Sequence, residues 1–269
     1  MLKSGVLTYP EIPSKRYTKF VTAYVAFYIA LIVERLFEKI KVSDDLDSDI
    51  QDIYYSELQA ALNDIKIGIE SDFILIDDVV KYGLFILNFT KNQLLNALLV
   101  SYKAEFLDSF LTTRSTPLLK SWAITNSRLI KSIPLNLLND FATIVESGYR
   151  DGSSIKDIKD KIKTRFKVSE AKATFLAKNE ISNLHSDYIK YSCLKLGLSD
   201  YGWRTIGDDK VRKSHEVLDN KICSWDNSSI YKNSTTDKKW FKRSSINATL
   251  YQVGKDYNCR CSPYIIINN

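Results

Sequence analysis

Glycine and proline are scarce in this 269-residue chain, at nine and five residues. That scarcity excludes a collagen-like repeat and a disordered linker, and it argues against a turn-dense all-β fold. Four cysteines are too few to staple a secreted chain of this length with disulfides. The chain contains neither a Gly-x-x-x-x-Gly-Lys loop nor a Gly-x-Gly-x-x-Gly turn, so the common nucleotide-phosphate cradles are missing. There is no internal repeat and no low-complexity tract. The N-terminus shows no apolar run before residue 19 and no small-residue cleavage site after one, so no export signal is expected. The longest apolar stretch, Phe20 to Val33, is broken by Thr22 and ended by Glu34 and Arg35. At about 14 residues it falls short of the roughly 17–25 a bilayer span needs. We expect a buried helix there, or a partner-facing one because it is apolar nearly all round, and no membrane association. Reduced cysteines in a cytosolic setting follow from the lack of a leader.

What is present suits a large globular chain: 45% hydrophobic, 12% aromatic and 26% charged. The pattern predicts a mainly α fold, with a long helical N-terminal and central region followed by a small irregular α+β module. We divide it at 1–115, 116–200 and 201–269. Helical periodicity runs from residue 17 to about 198, with candidate helices over Asp49–Asp64 and Thr90–Leu111. Phe73-Ile-Leu-Ile and Leu84-Phe-Ile-Leu read equally as strand or buried helix. Pro117 and Pro134 are placed in first helical turns. Asp151-Gly152 breaks the next run, and Ser153 or Ser154 caps its successor. Ser169 is expected to cap a further helix whose seam is Ala177, Ile181, Leu184, Tyr188 and Tyr191, ending at Gly197. His185, beside that seam, reads as structural. After Gly202 the text becomes irregular: a strand into a turn at Gly207-Asp-Asp, a short helix within Val211–Leu218, a polar loop over 226–247, and a last strand near Pro263.

The net charge of +6 is concentrated late, since residues 203–261 hold twelve Lys/Arg against seven Asp/Glu. A basic surface tolerates acidic partners such as nucleic acid. Lys156, Lys159 and Lys163 line one helix face, and Trp240, Lys242 and Arg243 could stack a base and hold phosphate; both groups are candidate nucleic-acid contacts, or else a solvated face and loop anchors. Zinc is the cofactor the residue types suggest. His215, Cys223, Cys259 and Cys261 supply four soft or borderline donors, although the single residue between Cys259 and Cys261 is not a finger spacing. Reduced thiols packed as small hydrophobes are the plain alternative, and Cys193 reads as core. A metal-dependent nucleic-acid enzyme would call on Asp208, Asp209, His215 and the cysteines, but Asp209 equally caps the following helix.

A family resemblance adds to this. Asn126-Ser-Arg-Leu-Ile-Lys-Ser-Ile-Pro134 is followed by Ile144-Val-Glu-Ser-Gly-Tyr-Arg-Asp-Gly-Ser-Ser-Ile-Lys-Asp-Ile158 and Ala173-Thr-Phe-Leu-Ala-Lys-Asn-Glu-Ile181. Next come Trp203-Arg-Thr205, Asp209-Lys-Val-Arg-Lys-Ser-His215 and Asn258-Cys-Arg-Cys261. This ordered set, over roughly residues 120–265, resembles the phage head morphogenesis family, the phage Mu protein F-like minor head proteins. The chain departs from the pattern at Lys178, where the family usually has arginine, and at Leu218-Asp-Asn220, where it often has glycine last. The family's frequent proline before the cysteines is replaced by Gly254-Lys-Asp-Tyr-Asn258. The resemblance implies a structural, non-enzymatic minor capsid protein of the virion, assembled in the host cytoplasm and located near the portal vertex. Its implied partners are the portal protein or major capsid protein, with packaged DNA nearby. The other readings are a zinc-containing DNA-binding module and the metal-dependent enzyme above. Residues 1–115 carry no resemblance.

Overall fold

The computed structural model describes residues 2–37, 40, 48–72, 74–151 and 153–267. Phe73 and Gly152, which the sequence reading used, lie outside them. The described elements run in the order β1 (Leu2–Val6), α1 (Glu11–Arg35), α2 (Ser48–Glu70), α3 (Ile74–Leu98), α4 (Ala104–Arg150) and α5 (Ile155–Lys195). Then follow β2 (Asp200–Arg204), α6 (Lys213–Glu216), β3 (Ile222–Ser224), β4 (Ile230–Lys232), β5 (Phe241–Lys242) and β6 (Ser262–Ile267). The mainly α fold with a small C-terminal α+β part is therefore as the periodicity predicts.

Several boundaries differ from the reading, for physical reasons. Helix α4 runs unbroken through both Pro117 and Pro134. An interior proline removes one backbone hydrogen bond and strains the preceding turn, at about 3 kcal/mol. Buried side chains hold the helix on either side: Leu111 and Leu119 around Pro117, Ile130 and Leu137 around Pro134. Ser169 likewise starts nothing; it lies buried inside the 41-residue α5. The proposed helix over Thr90–Leu111 is two helices, parted between Leu98 and Ala104, and the ambiguous run from Leu84 is helix. Ser154 does cap α5: its Oγ accepts the Asp157 amide at 3.1 Å and donates to the Asp157 carboxylate at 2.7 Å. At the other end Gly197 is left-handed (φ +76), and the Leu198 amide reaches back to the Cys193 carbonyl at 2.9 Å. That six-to-one closure is the Schellman form of helix end.

The chain divides into two compact units that interleave, where the sequence suggested consecutive segments: residues 1–15, 80–123 and 178–269 form one, and 16–79 with 124–177 the other. The second unit is all helical. Its core joins Tyr28, Ile32 and Leu36 of the first helix and its exit to Leu58, Leu62 and Ile65 of α2, Leu137, Phe141 and Val145 of α4, and Ile158 and Ile162 of α5. Asp140 and Arg165 form an ion pair between α4 and α5 in this unit.

Helix α1 is longer than the apolar stretch suggested, at 25 residues, and by length and composition it is able to cross a membrane. Its residues Tyr17, Val21, Val25, Tyr28 and Ile32 form a regular buried stripe, the pattern of a core helix. The expected burial is nevertheless only partial, since 28% of its most apolar window is buried and Phe27 is 61% exposed.

The first unit carries a six-stranded antiparallel sheet in the order β1-β6-β2-β3-β4-β5. Strand β1 was not foreseen; it covers the outer edge of β6, pairing Leu2 with Ile267. The stretch 226–247, read as plain loop, contains β4, β5 and a 3-10 turn over Arg243–Ile246. Helical segments of this unit supply Leu94, Leu98, Leu107, Leu111, Ile181, Leu184 and Tyr188 as buried apolar residues, so the α5 seam is as expected except that Tyr191 is 40% exposed.

Candidate functional site

The site grows from one face of the sheet. Along β2, alternation puts Tyr201 and Trp203 on one face and Gly202 on the other. The ring of Tyr264, the register partner of Gly202 on β6, covers that glycine so closely that a Cβ there would lie 1.7 Å from its Cζ. Trp203 and Tyr201 are fully buried on the opposite face. The Trp203 and His215 rings meet nearly at right angles, 5.5 Å between centroids.

Helix α6 spans only four residues, so its position depends on contacts outside it. Trp203 and the turn exchange backbone bonds: the Trp203 amide donates to Lys221 and the Asn220 amide to Trp203, each at 2.8 Å. Asn220 adopts the left-handed conformation (φ 62) that the missing glycine would supply. Thr205 donates from its amide and hydroxyl to Asp219 Oδ1, at 2.8 and 3.1 Å. The Ser214 carbonyl accepts the Thr249 amide at 2.9 Å. Asp209 does not cap α6; the residue at that place is Arg212, which makes no side-chain cap.

The loop from Val253 to Cys261 is clamped by α5. Ser182 donates to the carbonyls of Gly254 and Cys259 at 2.7 and 3.1 Å, Ser186 donates to that of Val253, and Lys255 pairs with Asp187 at 2.9 Å. Asn258 turns the chain in the left-handed region (φ 52). Cys259, Arg260 and Cys261 then lie in irregular backbone between this turn and the start of β6 at Ser262. Both cysteines face His215. Both thiols lie 3.6 Å from Nδ1 of His215, and one donor atom from each of the three residues lies within 4.8 Å of the others. All three residues are buried.

On its far side His215 meets a residue that the sequence reading missed. Nε2 is 2.8 Å from Asp256 Oδ2. A carboxylate accepts, so Nε2 carries the proton and the lone pair of Nδ1 faces the sulfurs. Arg212 lies 3.4 Å from the same Asp256 oxygen. Only the fold could reveal Asp256, since it lies 41 residues from His215. Burial by itself lowers the His215 pKa, but the Cys259 thiol and the Asp256 carboxylate outweigh it and raise the value. Cys259 is held well below the usual thiol range, chiefly by a hydrogen bond from Cys261, against the effect of burial and with help from His215. Cys261 is raised by that same bond and by burial.

The other predicted ligand, Cys223, is elsewhere. It sits on β3, paired with Tyr201 and Tyr231, with β2 between it and β6. Burial pushes its thiol up to about 11, opposed by the Arg243 guanidinium beside it. Cys193 is buried core, its thiol raised to about 12 by desolvation. His185 is a packing residue: Nδ1 is 2.8 Å from Thr90 Oγ1, and burial lowers its pKa to about 3. Asp208 is taken up by Arg260 at 2.7 Å and Asp209 is exposed, so the two do not join the His-Cys group.

The nucleic-acid candidates separate. Arg243 is fully buried and cannot touch DNA. Its guanidinium donates to the carbonyls of Ile230, Thr249 and Tyr251 and to the Tyr201 hydroxyl, and lies 5.4 Å from the Trp203 ring centre. Lys242 is exposed, while Trp240 is half-buried beneath the ammonium of Lys232, 4.1 Å from its ring centre. In the other unit, Lys156 and Lys163 are exposed on α5, and half-buried Lys159 lies 5.0 Å from the Phe37 ring centre.

The His-Cys group borders a cavity of about 540 Å³ lined in part by Tyr9, Lys15, Lys178, Lys210, Arg212 and Arg260. The chemistry available is that of two adjacent thiols, an imidazole hydrogen-bonded to a carboxylate, and a wall on which Lys15, Lys178, Lys210, Arg212 and Arg260 outnumber the single acid Glu11.

Residues 139–264 match a family model described as Phage Mu protein F like protein. A protein of Haemophilus influenzae strain Rd, described as uncharacterized, is 28% identical over 144 residues, covering 54% of this chain. The match spans 28% of that relative's own length. No solved structure matches the chain.

Proposed function

We propose that this chain, whose residues 139–264 match the Phage Mu protein F like family, is a non-enzymatic head morphogenesis protein that works by binding at the portal vertex. One observation carries the reading. The family segment contains the residues that pack together around His215: the α5 serines that clamp the loop, the Trp203 and Thr205 contacts, and the two cysteines. A framework so tied together is suited to presenting a fixed surface to portal or major capsid protein. Exposed Leu99, Val100 and Phe106 in the first unit offer apolar area for such contacts.

Packaged DNA is a second contact, favoured by the exposed Lys156 and Lys163 of α5. Location in the virion and assembly in the host cytoplasm follow from the same proposal. The experiment is deletion of the gene from the phage or prophage that encodes it, with proteomics of purified particles. We expect the protein in wild-type heads at few copies, and defective or empty heads without it. Its absence from particles, with normal heads after deletion, would overturn the proposal.

A further inference from the structure

Nδ1 of His215 has one lone pair, yet two sulfurs stand at the same 3.6 Å from it. One thiol can donate to that lone pair; the second cannot do so along the same axis. A metal between the three atoms satisfies all of them. Zinc bonds of about 2.3 Å to sulfur and 2.0–2.1 Å to nitrogen, at tetrahedral angles, place N and S about 3.6 Å apart. That is the spacing found. Asp256 on the opposite ring nitrogen completes the carboxylate–histidine arrangement that orients a metal-binding imidazole and fixes its tautomer. Among the described residues the group offers three donors, and it borders the cavity that reaches Tyr9 and Lys178.

We propose that Nδ1 of His215 and the thiolates of Cys259 and Cys261 bind one zinc ion, with Asp256 bracing the imidazole and a solvent ligand from the cavity in the fourth position. Cys223 has no part in it. Binding releases the thiol protons to solvent and changes no oxidation state. The same atoms could instead act as a thiol nucleophile, with Cys259 supported by Cys261 and His215; that use needs no metal, so the metal content of the reconstituted chain separates the two. The proposal is independent of the head-protein reading, which stands or falls on particle composition.

The test is elemental analysis and native mass spectrometry of the full chain, purified under reductant and reconstituted with zinc or cobalt. We expect one metal per chain and, with cobalt, a thiolate charge-transfer band with the strong visible bands of tetrahedral coordination. Cys259→Ser and Cys261→Ser should lose the ion and Cys223→Ser should keep it. Asp256→Asn should bind about 10–100-fold more weakly. Because variants of buried thiols can fail to fold, a wild-type readout accompanies them: zinc should protect Cys259 and Cys261 from iodoacetamide. Wild-type protein that takes up no metal, equal alkylation with and without zinc, or loss of the ion in folded Cys223→Ser would each overturn the proposal.

Discussion

Replacing Arg243 by alanine tests the reasoning about the sheet most sharply, because sequence chemistry and structure give opposite expectations. As a surface cation beside Lys242, Arg243 would be worth almost nothing to stability and something to DNA binding. In the fold it is fully buried, with donors directed at three carbonyls and a hydroxyl at 2.8–3.3 Å. Each buried acceptor left without a donor costs about 1–3 kcal/mol, and the costs do not simply add. The vacated space also withdraws packing from Trp203 and Cys223. We expect a net loss of about 4 kcal/mol, a large part of the roughly 5–15 kcal/mol by which domains are stable. Lys242→Ala, one residue away and exposed, should stay within about 0.5 kcal/mol of wild type. Urea unfolding followed by tryptophan fluorescence measures both, since Trp203 and Trp225 are buried in the same module. Arg243→Ala within 1 kcal/mol of wild type, together with reduced DNA affinity, would refute the buried-anchor assignment.

Other consequences can be checked separately. His185 takes up a proton near 6.5 in the unfolded chain but only near 3 in the folded one, so acid favours unfolding. Its contribution is complete above about 6.5 and lost progressively as pH falls toward 3, and His185→Gln should flatten that part of the stability–pH curve; an unchanged slope would contradict its burial as neutral imidazole. Gly202→Ala drives a methyl into the Tyr264 ring and should cost at least about 1–3 kcal/mol, with Tyr264→Ala relieving part of it in a double-mutant cycle; additivity would argue against the contact. Thr205→Val should cost about 1 kcal/mol through the lost hydroxyl bond to Asp219, measured by thermal unfolding. Alanine at Lys156 and Lys163 should weaken any DNA binding without sequence preference and lower the salt dependence by about one unit per lysine; unchanged binding would remove that face from the DNA reading.

The legible parts of this molecule were those written in local chemistry. Helical periodicity, the Ser154 cap, the Gly197 ending and the left-handed Asn220 all depend on neighbours within a few residues. Contacts brought about by folding were not legible. Tertiary packing carries α4 through two prolines and α5 through Ser169, against local signals that favour breaks. Strand β1 joins its partner from the other end of the chain. The site shows the same division: residue type selected His215, Cys259 and Cys261, while sheet order separates Cys223 from them. Asp256 carries no sequence mark as a histidine partner, and the burial of Arg243 is invisible in a tetrad that reads as basic and aromatic.

The central claim is that this chain binds at the portal vertex of a phage head. Native mass spectrometry of the purified chain with the intact portal ring of its own phage tests it most directly. The account predicts a defined complex that survives dilution and contains a fixed number of chains per ring. An intact ring that acquires no bound chain, at concentrations well above those of assembly, would contradict it.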